Sequence, residues 1–526
     1  MQEGERLPET SFSEGKPMNT IIRSRHIFDG TGTDPFQGFI EVRGPFITRV
    51  EHGWDYGPIG KDTHVIEHDD HLVMPGLHDN HVFFSGWMAA HAGLDLAQAQ
   101  DERQAASIIA DWAAAHPGKP VYAHGWNRTA WGADPGRSSL DDVSATVPIT
   151  AIDDARSRYW MNTAAVERYG FQEDQLSAET RVRLIREMCH DAELVRQSWR
   201  RFERLLLSRG VVSCKDIVFD DCDVHLPLAD KLLDVTMTIE PVAHRIDKTA
   251  VTRYRYHAFG PRTRFGGVKI MVDGVVADGT GDIRGAYANG MTPPKVDYDA
   301  IESDVAYLSE RGVSCCLTAE GDKAIERSAE LLARHMNPRV RHSISDMEMV
   351  TDHAAEIMAG AGLTAEIYPQ ILGLNPSLQE SYMPTTIVGE DGAAFFHYTN
   401  LTAHDVTLTS GTDCPLFVTD VPEALLRASR RRFDHGDERW FPAYALSQNE
   451  LLRSWTRGGD SRPSGTLNGR PSGDFLPGSG EGRVLRRGST ATFAIFDRDL
   501  LSATDENLHD AHVLETVIDG KTVYRA

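Results

Sequence analysis

The stretch MPGLHDNHVFF, residues 74–84, runs from an apolar β-type segment straight into a cluster of ionisable side chains, His78, Asp79 and His81. A short β-run that ends in polar residues is how a barrel strand delivers side chains to its C-terminal rim. The same form recurs along the chain. GVKIMVDG (267–274) carries Lys269 inside an apolar run, RVRH (339–342) ends on His342, and TSGTDCP (409–415) carries Asp413. Eight candidate strands follow from these and similar runs: 71–77, 211–216, 235–240, 267–272, 313–318, 339–343, 363–367 and 406–410. Helical patterns over 302–310, 324–334 and 355–361 lie between them. Strands alternating with helices predict a parallel sheet with crossover helices, and eight of them predict a distorted TIM (β/α)8 barrel, an α/β fold.

The remaining segments are predicted around that barrel. β-runs at 20–22, 39–42 and 46–50, and again at 490–496 and 513–524, are too few at either end to bury a sheet face alone. Together they predict a small β-sandwich built from both termini, residues 19–70 with 463–526, leaving 71–462 to the barrel and 1–18 as an extension. The gap between the first and second barrel strands is too long for one crossover. It predicts an inserted subdomain at about 88–205, with strands at 121–124 and 149–153. The Gly/Ser/Pro-rich stretch 458–482 reads as a long loop.

Composition narrows the function classes. The 526 residues carry 54 Lys+Arg against 77 Asp+Glu, a formal charge of −23, which opposes binding to a nucleic-acid backbone. No apolar run reaches the roughly 18–20 residues that span a bilayer, and the first 20 residues lack the apolar core of a secretory signal. Six scattered cysteines without C-x-x-C spacing read as free thiols. The expectation is a cytoplasmic protein acting on a small molecule without nucleic-acid or membrane partners, with a homodimer an ordinary outcome for the fold.

Taken singly, each polar strand-end residue has an ordinary structural role: a hydrogen-bonded His, a paired Lys, an Asp capping a turn. Four at one end of successive strands point to a shared site. In that order these stretches, with HGWNRTAW (124–131), YWMNTAAVERYG (159–170), EGDKAIE (320–326) and VLETVIDGKTVY (513–524), resemble the amidohydrolase superfamily. Within it they resemble the amidohydrolase-3 group, which includes N-substituted formamide deformylases. The resemblance runs from about residue 20 to the end. It implies a metal-centred barrel in which D-x-H-x-H on the first strand, a Lys on the fourth, a His on each of the fifth and sixth and an Asp on the eighth hold one or two ions and activate water.

This chain departs from that pattern. Asp79, His81, Lys269, His342 and Asp413 stand at the expected places, but Phe83 replaces the second His of the first strand and Thr318 the fifth-strand His. Neither is a good zinc ligand. The implied function is hydrolysis of an amide-like C–N bond with one divalent ion, zinc, at His81, Lys269, His342 and Asp413, and with Asp413 as general base. Two alternatives stay open. One is a metal-free lyase, isomerase or cyclase using Lys269, desolvated to a lower pKa, with His342 and Asp413 for proton transfer. The other is a non-catalytic ligand-binding relative. His124, Trp126 and Arg128 of the insertion, with Phe83 and Thr318, are the expected substrate contacts.

Overall fold

The computed structural model describes residues 19–156, 158–170, 178–218, 234–249, 251–252, 262–338, 340–370, 395–416, 421–431, 439, 441–457 and 483–526. The expected extension (1–18) and loop (458–482) lie outside them. From the N-terminus, β1 (Asn19–Ile27), β2 (Phe36–Arg43), β3 (Phe46–His52), β4 (Thr63–Glu67) and β5 (Leu72–Pro75) precede the first barrel strand, β6 (Leu77–Val82). The insertion supplies β7 (Leu94–Asp95), β8 (Val121–Trp126), β9 (Ile149–Asp153) and β10 (Tyr159–Met161). The barrel continues with β11 (Val211–Val218), β12 (Thr236–Ala243), a short β13 (Thr263–Phe265) and β14 (Val268–Met271). It is completed by β15 (Cys315–Thr318), β16 (Ser343–Ser345), β17 (Thr364–Ile367) and β18 (Thr407–Ser410). The chain ends with β19 (Phe493–Phe496), β20 (Val513–Ile518) and β21 (Lys521–Arg525).

Strands from the two chain ends share one sheet of eight, in the order β21-β20-β19-β5-β1-β2-β3 with β4 on β1. Ile22, Ile27, Ile40, Val73, Phe493 and Ile495 give it an apolar core of its own. β20 and β21 form a hairpin whose Asp519 and Gly520 both take positive φ (51° and 75°), the geometry that two-residue turns between right-twisted strands require. The insertion is a four-stranded sheet, β10-β9-β8-β7, around Ile109, Trp126, Leu140 and Trp160.

The barrel strands are parallel in the order β18-β17-β16-β15-β14-β12-β11-β6, with β13 on β12. Two strands differ from the sequence reading. The run at 71–77 splits at Gly76: β5 joins the terminal sheet, and the barrel strand is β6, which itself carries Asp79 and His81. The sixth strand begins at Ser343, later than expected, so His342 stands at its start. Helices 302–310 and 355–361 begin earlier than the apolar pattern shows, at Tyr298 and Asp352. There the side chains of Asp297 and Thr351 accept from the backbone N–H of Ala300 and Ala354.

β18 and β6 close the ring. The Asp413 N–H donates to the His81 carbonyl (2.9 Å), the Phe83 N–H donates to the Cys414 carbonyl (2.7 Å), and Val82 bridges Cys414. The seam needs Gly411 bare, because a Cβ there would lie 2.7 Å from the His81 Cβ and 2.8 Å from its backbone nitrogen. Gly411→Ala should therefore cost about 1–3 kcal/mol, the usual range for overpacking a tight core. A thermal melt should show a clear drop, and an unchanged Tm would contradict this view of the seam.

Candidate active site

His81 on β6 and Asp413 after β18 meet across the closing seam, with His81 Nε2 and Asp413 Oδ1 3.4 Å apart. On the other ring nitrogen, His81 Nδ1 is 2.6 Å from the hydroxyl of Tyr368, the residue after β17. Burial, with Lys269 nearby, holds the His81 pKa well below its usual value, so the imidazole is neutral. Asp413 keeps about a third of its side chain open to the mouth (32% exposed), yet protein surrounds it. That enclosure, with the like charge of Asp346, pushes its carboxyl up to about 7.

Lys269 of β14 donates to Asp346 Oδ2 at 2.8 Å, and Ser345 Oγ donates to the same oxygen at 2.6 Å. Burial acts to lower the Lys269 pKa, but Asp346 with Cys316 and Glu366 more than offsets it, so the net shift is upward. This corrects the expectation of a desolvated, easily deprotonated amine. Asp346 and Asp413 both sit in the left-handed region, at φ 62° and 53°. Left-handed backbone costs an L-residue roughly 1–2 kcal/mol.

His342 is not part of this group. It is wholly buried at the start of β16, where its Nδ1 accepts from the Cys315 backbone N–H (3.1 Å) and burial pushes its pKa down to about 4. Cys315 opens β15, and the mouth lies at Thr318, three residues or roughly 10 Å further along. Thr318 does reach the mouth layer, with Oγ1 3.4 Å from Ser345 Oγ. Phe83 precedes the helix Phe84–His91, and its ring fills the space above Gly86. Asp79 ties the seam, accepting from the backbone N–H (3.0 Å) and hydroxyl (2.7 Å) of Thr412.

Two expected substrate contacts belong elsewhere. Trp126 is 1% exposed in the core of the insertion, its Nε1–H donating to the Ala151 carbonyl (3.0 Å). Arg128 makes a surface ion pair with Asp134 (3.0 Å). His124 has His91, Asp95 and Arg201 for neighbours, and its pKa is pushed down to about 4 by burial.

Beneath the mouth lies a second charged layer. Lys215 of β11 is 3% exposed inside the barrel. Its Nζ reaches Glu240 Oε2 of β12 (2.9 Å) and Glu366 Oε2 of β17 (2.7 Å), and Ser343 Oγ donates to Glu366 Oε1 (2.7 Å). Glu240, Cys316 and Glu366 form the group among the described residues whose donor atoms are spaced to hold an ion, all within 4.8 Å of one another. The Lys215 ammonium already binds both carboxylates, so the positive charge of this site is supplied by the chain.

At the mouth, His81 and Asp413 offer two donors at a metal-compatible spacing, and no third His, Cys, Asp or Glu among the described residues joins them. Two ligands roughly 2.0–2.1 Å from a tetrahedral zinc are roughly 3.3–3.4 Å apart, which is the His81–Asp413 spacing, and a zinc-binding imidazole engages a partner through its other nitrogen, as His81 engages Tyr368. Of the positions where the resemblance implies ligands, Phe83 and Thr318 carry no imidazole, Lys269 pairs with Asp346, and the His342 Nδ1 accepts from the Cys315 backbone N–H.

A barrel whose strand ends gather His, Asp, Lys and Tyr at one mouth has the architecture of the barrel hydrolases. The chain belongs to the amidohydrolase family, whose family model matches residues 65–524. Family membership supports a hydrolase. YtcJ of Bacillus subtilis (strain 168), provisionally described as an amidohydrolase, is 24% identical over 275 residues, 50% of this chain and 48% of that protein. The match thus spans about half of YtcJ. LONG AFTER FAR-RED 3 of Arabidopsis thaliana is 20% identical over 96% of this chain and 91% of its own length. Among solved structures, an uncharacterised metal-dependent hydrolase from Pyrococcus furiosus superposes with a TM-score of 0.69 at 16% identity, covering 92% of this chain and all (100%) of that one. Atrazine chlorohydrolase TrzN from Arthrobacter aurescens TC1, complexed with zinc, gives 0.50 at 16% identity over 96% and 95%. Both likenesses are of fold.

Removing the internal ammonium should leave two buried carboxylates uncompensated. Lys215→Ala is expected to lose about 3–5 kcal/mol of stability. Added zinc should raise the Tm of that variant by filling the vacated site. A variant as stable as the parent would overturn the assignment of Lys215 as the resident cation.

Proposed function

We propose that the protein hydrolyses an amide-like C–N bond of a small molecule at the barrel mouth, with one divalent ion, zinc, held by His81 and Asp413. The 3.4 Å approach of His81 Nε2 to Asp413 Oδ1 carries this reading. Family membership supports the hydrolytic class.

A bound zinc ion would supply Lewis acidity, bringing the pKa of water toward neutrality. Tyr368 fixes the ring of His81 and, by accepting from Nδ1–H, leaves the Nε2 lone pair directed at the mouth. Asp413, its carboxyl at the edge of the mouth, takes the proton of the attacking water. The water oxygen bonds to the acyl carbon, the C–N bond breaks, and Asp413 returns the proton to the departing nitrogen. Lys269 spends one N–H on Asp346 and has two more to donate to the developing oxyanion.

The metal-free alternative needs Lys269, His342 and Asp413 together. The partners of His342 (the Cys315 N–H) and of Lys269 (Asp346) favour the metal-assisted reading over that shuttle.

Protein purified without chelator should carry no more than one zinc per chain by elemental analysis, and His81→Ala should carry almost none. Hydrolysis of a panel of N-substituted formamides and acetamides should fall about 10²–10⁴-fold in Asp413→Asn. Two zinc ions per chain, or full turnover with zinc near zero, would reject the reading. Tyr368→Phe should lose about 10–100-fold in zinc affinity or turnover while keeping its Tm within a few degrees. A variant unchanged in both would remove Tyr368 from the site.

A further inference from the structure

A cavity lined by none of the mouth residues lies where the excursion between β14 and the helix Tyr298–Glu310 packs on the helix Asp322–Arg334. Its volume is about 730 Å³, and four cations line it, Arg284, Lys295, Lys323 and Arg327, against a single acid, Asp282. In a chain whose formal charge is −23, four cations around one cavity reverse the local sign.

Two of these cations are fixed from the protein side. Asp282 is 1% exposed; its Oδ1 accepts from Lys323 Nζ (3.0 Å) and its Oδ2 from the Tyr298 hydroxyl (2.6 Å). Glu326, 2% exposed, pairs with both terminal nitrogens of Arg284. Lys323 is nevertheless only half-buried, and Arg284 is exposed. An ammonium has three donors and a guanidinium five, so both keep N–H groups to offer outward. Lys323 and Arg327 stand four residues apart on one helix and share its face. Arg327 lies over the Tyr298 ring, 5.6 Å from its centroid, and donates to Glu330 (2.7 Å). Lys295 is exposed and has no hydrogen-bond or ion-pair partner among the described residues. Cations held by buried carboxylates lose less freedom on binding than free surface lysines do.

We propose that this cavity binds a small organic anion carrying two or more negative groups, phosphates or carboxylates. Arg and Lys donate charge-assisted hydrogen bonds to either kind of oxygen. The volume falls in the range of small-molecule sites, roughly 300–1,000 Å³. Pro293, Pro294 and Tyr298 give a carbon skeleton an apolar wall. The surrounding acidic excess opposes a long polyanion, which would extend beyond the cavity, and so favours a short one.

Calorimetric titration of the full chain at constant ionic strength tests this with two probes, inorganic pyrophosphate and propane-1,2,3-tricarboxylate. At least one should bind with one-to-one stoichiometry. Pyrophosphate alone would identify phosphates as the recognised groups, the tricarboxylate alone carboxylates, and both together the charge itself. Lys295→Ala and Arg327→Ala remove cations without stranding a buried acid. Each should keep the wild-type Tm within a few degrees and lose at least about fivefold in affinity. Lys521→Gln removes the same charge from an exposed position on β21 and should bind as the wild type does. No binding of either probe, binding that survives both cavity variants, or an equal loss in Lys521→Gln would each overturn the site. Anion capture by zinc at the mouth would survive both cavity variants and so counts against it. Binding is read without turnover, so the outcome is independent of the proposed hydrolysis.

Discussion

Everything at the mouth depends on how closely the last barrel strand approaches the first. Gly411 lets β18 lie against the backbone of His81, and the chain then turns through Asp413 in the left-handed region. Without that contact, His81 and Asp413, 332 positions apart in the chain (413 − 81), would have no reason to meet. Asp79 reinforces the seam from below by binding both the backbone and the hydroxyl of Thr412. The metal-sized spacing between imidazole and carboxylate is thus a consequence of barrel closure.

Two layers of charge divide the interior. The lower one, Lys215 with Glu240 and Glu366, is buried: the ammonium lies 2.9 Å from Glu240 Oε2 and donates to both Glu366 oxygens, and Ser343 Oγ donates to Glu366 Oε1. In the upper one Lys269 pairs with Asp346 at 2.8 Å, and Asp273 and Glu348 accept from backbone N–H groups.

The architecture was legible because periodicity survives local error. The eight-strand count and the insertion followed from alternating β-runs and helical patterns, and His81, Lys269 and Asp413 from their places at strand ends. His342 was misplaced for a physical reason. Val340 and the residues beside it look like strand, yet β16 starts at Ser343, and a shift of three residues exchanges the floor for the mouth. The same slip hid Asp346, which follows Ser345 directly. Tyr368, next after β17, also stands at a strand end, where a tyrosine has many ordinary roles. Trp126 was assigned to the pocket on residue type alone, whereas its indole N–H is satisfied inside the insertion's core. Lys215 could not be placed from sequence, since its two acidic partners lie on strands 25 and 151 residues away (240 − 215 and 366 − 215).

The central claim, one ion on His81 and Asp413 with the chain's own ammonium beneath it, is tested most directly by X-ray absorption at the zinc edge of the zinc-loaded protein. The account predicts a single imidazole and oxygen donors near 2.0–2.1 Å (about), without a sulfur shell and without a metal–metal vector. Sulfur scattering at about 2.3 Å would place the ion among Glu240, Cys316 and Glu366, and a metal–metal distance of about 3.5–4 Å would restore a two-ion centre. Either result would contradict it.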